Sequence, residues 1–154
     1  MNSSLLLRNA TDADVNAIAN VYLFSRKKLV SFAPLIHSDE SIYQWIREVL
    51  LLEEQVIVAE EMRVIIGMMS LTNDAGIGRI QQLYILPDSV RRGVGSLMIN
   101  KAKSILGSPI QLYTFQENIG ARRFYERHGF QAIKFDDGSD NEEKCPAVLY
   151  EWTA

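Results

Sequence analysis

The pattern of apolar residues changes at Pro87, and this change constrains the fold more than any other feature of the sequence. Before Pro87, residues 56–59, 64–71 and 80–86 are apolar and rich in β-branched side chains, and short polar turns separate them. This predicts three antiparallel strands. After Pro87, strand and helix patterns alternate. Because a helical connection normally returns the chain parallel to the strand it left, we expect a mixed sheet, antiparallel first and parallel across the middle.

Two amphipathic helices are predicted before these strands. The first covers residues 11–28, where Thr11 and Asp14 resemble a capping box at the helix start. The second covers residues 39–52, which carry apolar side chains at three-to-four-residue spacing. The remaining predicted elements are a helix from Val94, a helix at 121–127, and strands at 5–8, 110–115, 131–135 and 147–152.

The composition is that of one globular domain. The chain has 154 residues, 47% of them apolar and 23% charged, so we expect residues 1–154 to fold as a single domain. A formal net charge of -3 offers no basic field for a phosphate backbone, which argues against a nucleic-acid partner. Cys145 is the single cysteine, and no apolar run reaches the ~18 residues that a membrane span requires. We therefore expect a cytoplasmic protein without a membrane partner.

Two glycines separated by one residue lie where the strand at 80–86 is followed by a helix. Glycine permits turn conformations and the close approach of a ligand. The free amide groups at a helix start, together with the helix dipole, form a site for an anion such as a pyrophosphate. Two arginines add mobile positive charge. The alternative is a plain turn in which the glycines only permit tight packing. The run is Arg91, Arg92, Gly93, Val94, Gly95 and Ser96.

Two other nucleotide-binding motifs do not fit this turn. The dinucleotide-binding motif requires a third glycine at the position of Met98. The phosphate-binding loop of nucleotide hydrolases requires a lysine directly after the second glycine, where this chain has Ser96. The sequence therefore argues against both of these classes of site.

A second informative segment, residues 118–130, has the pattern of a short helix with clear ends. Asn118 is a good N-cap, and Phe124 and Tyr125 lie on one helical face. Gly129 follows the helix, at a position where a left-handed conformation is common.

Together, residues 83–96 and 118–130 resemble, in order and separation, the two signature motifs of the GCN5-related N-acetyltransferase (GNAT) superfamily. The resemblance extends from the first strand to the closing hairpin. It implies an α/β fold in which a mixed, mostly antiparallel twisted sheet is flanked by helices, with a splayed parallel pair of strands at the cofactor cleft. It also implies an acyltransferase that moves an acetyl group from acetyl-CoA to a primary amine, by direct attack in a ternary complex and without a metal.

The resemblance assigns cofactor contacts residue by residue. Backbone groups of Leu83, Tyr84 and Ile85 would bind the pantetheine arm as if it were an added strand, and the amides of residues 91–96 would bind the pyrophosphate. One position departs from the superfamily, because Val90 stands where Gln or Arg is usual. This removes one side-chain contact but leaves the amide site intact.

The second motif supplies the other contacts that the resemblance implies. Asn118 would bond the pantetheine region, Phe124 would pack beside it, and Tyr125 would reach the sulfur. A thiolate leaving group has a basicity near that of a cysteine thiol, with a pKa of about 8.5, and tyrosine has a pKa of about 10. Tyr125 can therefore act as the general acid. The alternative for Tyr125 is a core position beside Phe124.

The general base is left open. One candidate is His37, in the connection between the first two helices, because imidazole titrates near neutral pH. The other is Glu60, at the end of a strand that leads toward the cleft. For both residues the alternative is a solvated side chain.

The acceptor is also left open. The small size of the chain favours a small-molecule amine over a protein N-terminus or lysine. A non-catalytic acyl-CoA sensor is a further alternative, against which Tyr125 argues. The acidic stretch 136–143 could attract a cationic amine, although we favour a solvated hairpin loop. For the oligomeric state, a homodimer is one alternative.

Overall fold

In the computed structural model, which describes residues 4–90 and 92–154, seven strands form one mixed sheet. In chain order the strands are β1 (Leu5–Asn9), β2 (Gln55–Glu61), β3 (Val64–Asp74), β4 (Ile77–Ile85), β5 (Ile110–Phe115), β6 (Gln131–Asp136) and β7 (Ala147–Trp152). Across the sheet the order is β1-β2-β3-β4-β5-β7-β6, with β4 and β5 parallel and the other neighbouring pairs antiparallel. The predicted mixed sheet is confirmed.

Five α-helical segments of the described residues lie on the two faces of this sheet. They are α1 (Val15–Leu29), α2 (Asp39–Trp45), α3 (Leu51–Glu53), α4 (Val94–Leu106) and α5 (Ile119–Arg127). A short 3-10 turn, Asp12–Asp14, precedes α1, and the Thr11 amide donates to Asp14 Oδ2 at 2.8 Å, as the capping box predicts. None of the helices in the described part of the chain is long and apolar enough to cross a membrane.

The helix predicted over residues 39–52 is not one regular α-helix, because a π-helical segment, Ile46–Leu50, joins α2 to α3. Three buried residues follow one another at intervals of four positions, namely Ile42, Ile46 and Leu50. In a regular α-helix each step of four residues rotates about 40° past a full turn. The wider π turn offsets this rotation, so all three side chains stay on the core while Val49 is exposed.

Two apolar clusters hold the layers together, one on each face of the sheet. Because successive side chains of a strand point to opposite faces, Met68 of β3 packs with α1 and α2 while Met69 packs with α4 and α5. Both methionines are fully buried. This is why the central strand has a continuous apolar run rather than an alternating one.

The parallel strands β4 and β5 pair over a short length and then diverge. Their register contains two pairs, Gly78 with Ile110 and Arg79 with Gln111. A Cβ at Gly78 would lie 2.8 Å from Leu106 Cβ, so the C-terminal end of α4 packs directly on the paired segment. Beyond it, the strands open toward the end of β4 that leads into α4. The splayed parallel pair expected from the resemblance is confirmed.

Candidate active site

The edge of β4 that faces the opening presents backbone groups at alternate residues. The Leu86 amide donates to the Ile66 carbonyl of β3 at 2.8 Å, which fixes the alternation along the strand. Tyr84, opposite Met68, therefore turns its backbone toward β3, while Leu83 and Ile85 turn theirs toward the opening. Of the three residues expected to bind pantetheine through the backbone, Leu83 and Ile85 are so placed, and Tyr84 contributes its side chain to the site.

Helix α1 fixes the end of this edge. The buried Ser25 hydroxyl donates to the Ile85 carbonyl at 2.9 Å, so the Ile85 amide is the group of that residue left for a ligand in the opening. No local pattern predicts this contact, because Ser25 and Ile85 are 60 residues apart.

The glycine-rich turn begins α4 as predicted. Gly93 has φ 85°, a left-handed conformation, and is the residue before the helix. A Cβ at Gly95 would lie 2.9 Å from Phe124 Cζ and 3.2 Å from Ile85 Cδ1. The glycine therefore lets α4, α5 and β4 meet at the point where the free amides of the first helical turn emerge.

The charges at this turn differ from the expected mobile cations. Arg92 donates to Glu61 Oε2 at 3.0 Å, and the Glu61 side chain is largely buried. Arg92 is thus tied to β2 by an ion pair. Arg91 lies outside the described residues.

Ser96, in the first turn of α4, contacts a residue that sequence reasoning did not single out. Ser96 Oγ lies 3.0 Å from His128 Nε2 at the end of α5. Burial lowers the pKa of His128, and the charges of Lys103 and Arg127 lower it further. The imidazole is therefore neutral at pH 7.

The second motif is arranged as predicted. Asn118 Oδ1 accepts a hydrogen bond from the Ala121 amide at 3.2 Å, so Asn118 is the N-cap of α5. Phe124 lies under Gly95 and contacts the Tyr125 ring at a centroid distance of 5.4 Å. Gly129 has φ 87° directly after the helix.

Tyr125 is 8% exposed and belongs to the core cluster on the α4 side of the sheet. Its ring also contacts those of Phe130 and Tyr150. Burial raises the pKa of the Tyr125 hydroxyl above its ordinary value, and Tyr84 on β4 adds to the shift. The hydroxyl therefore stays protonated across the physiological range and is available as a hydrogen-bond donor.

A cavity of about 800 Å³ lies beside the diverging strands, on the α1 and α2 side of the sheet. One wall is aromatic, and the Tyr22 and Tyr84 rings meet edge to face at 5.1 Å. Burial raises the pKa of Tyr84 to about 12, so this side chain also remains neutral. The opposite wall is the loop between β6 and β7. The aromatic lining residues are Tyr22, Trp45, Tyr84, Tyr113 and Phe115, and the acidic ones are Asp136, Asp140, Glu142 and Glu143.

The acidic loop is docked against the α1 end of the cavity. Arg26 is 5% exposed and donates to Glu143 at 3.5 Å and to the Pro34 carbonyl at 3.2 Å. The side chain of Glu143 is 20% exposed. The interpretation of residues 136–143 as a solvated loop is therefore wrong for Glu143, because Arg26 draws its carboxylate inward.

The two candidate bases lie in different places. His37 lines the cavity, and its Nε2 lies 3.0 Å from Glu142 Oε2. Glu60 accepts from Arg8 at 3.0 Å, and Arg8 also donates to Asp14 at 2.8 Å. Glu60 thus takes part in an ion-pair network that joins β1, β2 and the start of α1. The structure brings His37, and not Glu60, into the lining of the cavity.

Sequence reasoning missed several residues of this site, and they differ in the signal they left. Tyr22 and Arg26 are four apart on the buried face of α1, where a charged residue is unusual and could have been noticed. His128 is four residues after Phe124 and shares its helical face. Glu142 and Glu143 left no such signal, because their contacts depend on the path of a loop.

The family model of the acetyltransferase (GNAT) family matches residues 21–130. The chain therefore belongs to the GNAT family of acetyltransferases. No curated protein sequence matches the chain at a significant level.

Solved structures share the fold over nearly the whole chain. The N-acetyltransferase PaiA from Thermoplasma acidophilum, in complex with coenzyme A, matches with a TM-score of 0.77 at 20% identity and covers 98% of this chain and 99% of its own. Apo YjaB from Escherichia coli matches with a TM-score of 0.78 at 20% identity, covering 97% and 99%. A chimera of the spermidine N-acetyltransferase SpeG from Vibrio cholerae matches with a TM-score of 0.76 at 21% identity, covering 98% and 96%. At these identities the likeness shows the fold.

Proposed function

We propose that this protein is an N-acetyltransferase that moves an acetyl group from acetyl-CoA to a primary amine of a small molecule, by direct attack in a ternary complex. The observation that supports this best is the opening between β4 and β5. On one face of the sheet it is bordered by the N-terminus of α4, which begins after Gly93, and on the other face by a cavity of about 800 Å³. Residues 1–154 act as one cytoplasmic domain in this proposal.

The residues at the opening fit coenzyme A. A side chain at Gly95 would fill the point where three elements meet, and the free amides of residues 93–96 converge there with the positive end of the α4 dipole. These amides would hold the pyrophosphate. The backbone groups of Leu83 and Ile85 that face the opening would hold the pantetheine arm, with Asn118 and Phe124 beside it. Acetyl-CoA supplies an activated thioester when bound.

Two side chains on opposite sides of the opening are assigned to the leaving group and to the proton of the amine. Tyr125 holds its proton because burial raises its pKa, so it serves as the hydrogen-bond donor for the departing sulfur. His37 lines the cavity and serves as the base that accepts the proton of the amine. Its contact with Glu142 Oε2 occupies Nε2, which leaves Nδ1 as the accepting atom.

The lining of the cavity favours a cationic acceptor. Its four carboxylates outnumber its two permanently cationic side chains, Arg26 and Lys134, and Arg26 is already paired with Glu143. An amine arrives protonated at neutral pH and is attracted by this field, and the aromatic wall offers ring faces to an ammonium group. The solved structures that share the fold include an engineered spermidine N-acetyltransferase, a protein named for a polyamine.

The first experiment is calorimetric titration with acetyl-CoA, coenzyme A and NAD, followed by a thiol-release assay with diamines, monoamines, amino acids and short peptides. We expect binding of the two coenzyme A ligands, no binding of NAD, and release of thiol with a small cationic amine. Gly95→Glu, whose side chain would push against Phe124 and Ile85 and bring a negative charge beside the amide site, should abolish binding. Failure of the wild-type protein to bind acetyl-CoA would contradict the proposal.

Two other results of the same assay support other functions. Tight binding without thiol release on any amine favours the acyl-CoA sensor. Thiol release with peptides alone assigns the acceptor to protein N-termini or lysines. For the base, His37→Gln should lower kcat at neutral pH and flatten its pH profile, while Glu60→Gln should leave that profile unchanged.

A further inference from the structure

Ser96 and His128 form a polar contact between the first turn of α4 and the end of α5. Ser96 Oγ and His128 Nε2 are 3.0 Å apart, and both residues are partly buried. Side chains of a helix tilt toward its N-terminus, so the Ser96 hydroxyl lies at the same end of α4 as the free amides. The contact therefore borders the site that the proposed function gives to the pyrophosphate.

The surroundings of His128 fix its ring and its charge. Its carbonyl accepts from Lys103 Nζ at 2.7 Å, and its ring lies 4.8 Å from the Phe124 ring. The charged groups that face it are Lys103 from α4 and Arg127 from α5, and both oppose a second positive charge on the imidazole. A neutral imidazole carries one N–H, so the direction of the Ser96 contact depends on which nitrogen holds the hydrogen.

We propose that His128 is a positioning residue for the pyrophosphate of the bound cofactor: its Nε2–H donates to Ser96 Oγ, and the Ser96 hydroxyl hydrogen is thereby directed at a phosphate oxygen. This inference rests on the proposed function. In the opposite arrangement Ser96 would donate to His128 and turn its lone pairs toward the anion, which is unfavourable. An anion at the start of α4 selects the arrangement in which Ser96 is the donor.

The role proposed for His128 concerns the pyrophosphate of the cofactor and not its pantetheine arm, so ligands with and without the pyrophosphate can test it. S-acetylpantetheine carries the thioester and the pantetheine arm but lacks the pyrophosphate. In His128→Phe, which keeps an aromatic ring beside Phe124 and removes Nε2, we expect the Kd of coenzyme A to rise by up to about tenfold, because the Ser96 hydroxyl remains but is no longer held toward the phosphate. We expect kcat/KM for S-acetylpantetheine to stay at the wild-type value.

Two further variants act as matched controls. His128→Gln places an amide N–H near the position of Nε2 and should restore most of the coenzyme A affinity. Ser96→Ala should show a selective loss at least as large as that of His128→Phe, and the double variant should be no weaker than Ser96→Ala, because His128 acts only through the Ser96 hydroxyl. Ser96→Ala removes a single oxygen atom, so it also tests the inference if His128→Phe fails to fold.

The outcomes are distinguishable from those of the proposed function. Equal losses for coenzyme A and S-acetylpantetheine would mean that His128 only supports packing, and additive losses in the double variant would mean that the two residues act separately. Either result overturns the inference and leaves the acetyltransferase in place. A wild-type protein that binds no coenzyme A overturns both.

Discussion

Among single residues, Gly95 shows how the lack of a side chain lets three elements of the site pack together. A Cβ at this position would lie within 3.2 Å of Phe124 and Ile85, which come from the two other elements that border the opening. Glycine at this position allows close packing and also leaves the amide site open for a ligand. A small and a large replacement should affect these two roles differently.

Gly95→Ala should destabilise the fold by about 1–3 kcal/mol, because its Cβ would lie 2.9 Å from Phe124 Cζ and the ring would have to move. Urea unfolding measures this change. The matched control is Gly120→Ala in α5, where a Cβ meets nothing within 4 Å. This control should gain up to about 1 kcal/mol from helix propensity. If the two alanine variants were equally stable, the tight contact at Gly95 would be contradicted.

Tyr125→Phe should lower kcat with little change in cofactor affinity, because the ring packing is kept and only the donor is lost. Because burial raises the pKa of Tyr125, the hydroxyl does not ionise below pH 10. The pH profiles of kcat for the wild type and the variant should therefore have the same shape up to that pH. Tyr150→Phe is the control, as it removes a buried hydroxyl that donates to Glu126 at 2.7 Å. That variant should lose stability but keep its turnover. Full activity of Tyr125→Phe across the pH range would show that Tyr125 only packs.

The sequence predicts site residues well where a local pattern fixes their conformation. Gly93, Gly95, Asn118 and Gly129 were predicted from turn and cap chemistry, and each has the predicted local role. The roles that depend on distant contacts were not predictable. No local pattern tells that Arg92 pairs with Glu61.

At the scale of elements, the opening depends on how α1 meets β4. Ser25 is fully buried in α1 and its hydroxyl donates to the carbonyl of Ile85, beyond the paired part of the strand. This bond satisfies a carbonyl for which β5 is too distant. It also fixes the last residue of the edge to which the pantetheine arm is assigned.

Ser25→Ala should cost about 1 kcal/mol of stability, because it leaves the Ile85 carbonyl without its donor. Ser104→Ala is the matched control, since Ser104 makes a similar bond to the Lys101 carbonyl at 2.9 Å but is exposed, so water can replace it. Differential scanning calorimetry of the two variants checks the difference. Equal melting temperatures would show that the α1 contact carries no stability.

Element types followed from periodicity, while their ends and irregularities did not. The strands predicted at 110–115 and 147–152 have the predicted bounds, since turn residues flank both. The strand predicted at 80–86 begins instead at Ile77, because pairing with β3 extends it past Gly78. The π segment after Trp45 was missed because Trp45 and Val49 complete an ordinary three-to-four-residue spacing in the sequence, and only the structure shows that Val49 is exposed.

At the scale of the whole molecule, an ion-pair network ties the first strand to the first helix. Asp14 is 7% exposed and accepts two hydrogen bonds from Arg8 and one from the Thr11 amide. These bonds, chiefly those from Arg8, lower the pKa of Asp14 below its ordinary value. Because the unfolded chain then binds the proton more readily, the network stabilises the fold above pH ~4 and less as the pH falls below it.

Asp14→Asn should therefore be less stable than wild type at pH 7 by about 1–3 kcal/mol, and the difference should shrink as the pH falls through 4 toward the lowered pKa of Asp14. Urea unfolding at pH 7, 5 and 3 tests this dependence. Asp12→Asn, at an exposed position two residues away, should match the wild type at each pH. A stability difference that is constant with pH would contradict the role given to the Asp14 charge.

The overall topology was predictable because one rule decided it. A helical connection between 80–86 and 110–115 required parallel strands, and the hairpins on either side required antiparallel ones. The final hairpin leaves open which of its two strands pairs with β5, and in the structure β7 takes that place. The docking of the acidic loop on α1 did not follow, since Arg26 and Glu143 are 117 residues apart and have no shared pattern.

The two residue pairs between β4 and β5 have a consequence for the protein in a cell. A ligand that bonds to Leu83 and Ile85 becomes part of the sheet at the place where the strands diverge. Ligand binding and folding are then linked quantities, and the free energy of unfolding rises with the concentration of the ligand. The amount of folded protein would therefore follow the supply of acyl-coenzyme A, so a shortage of the acetyl donor would reduce both the rate of each molecule and the number of molecules that persist.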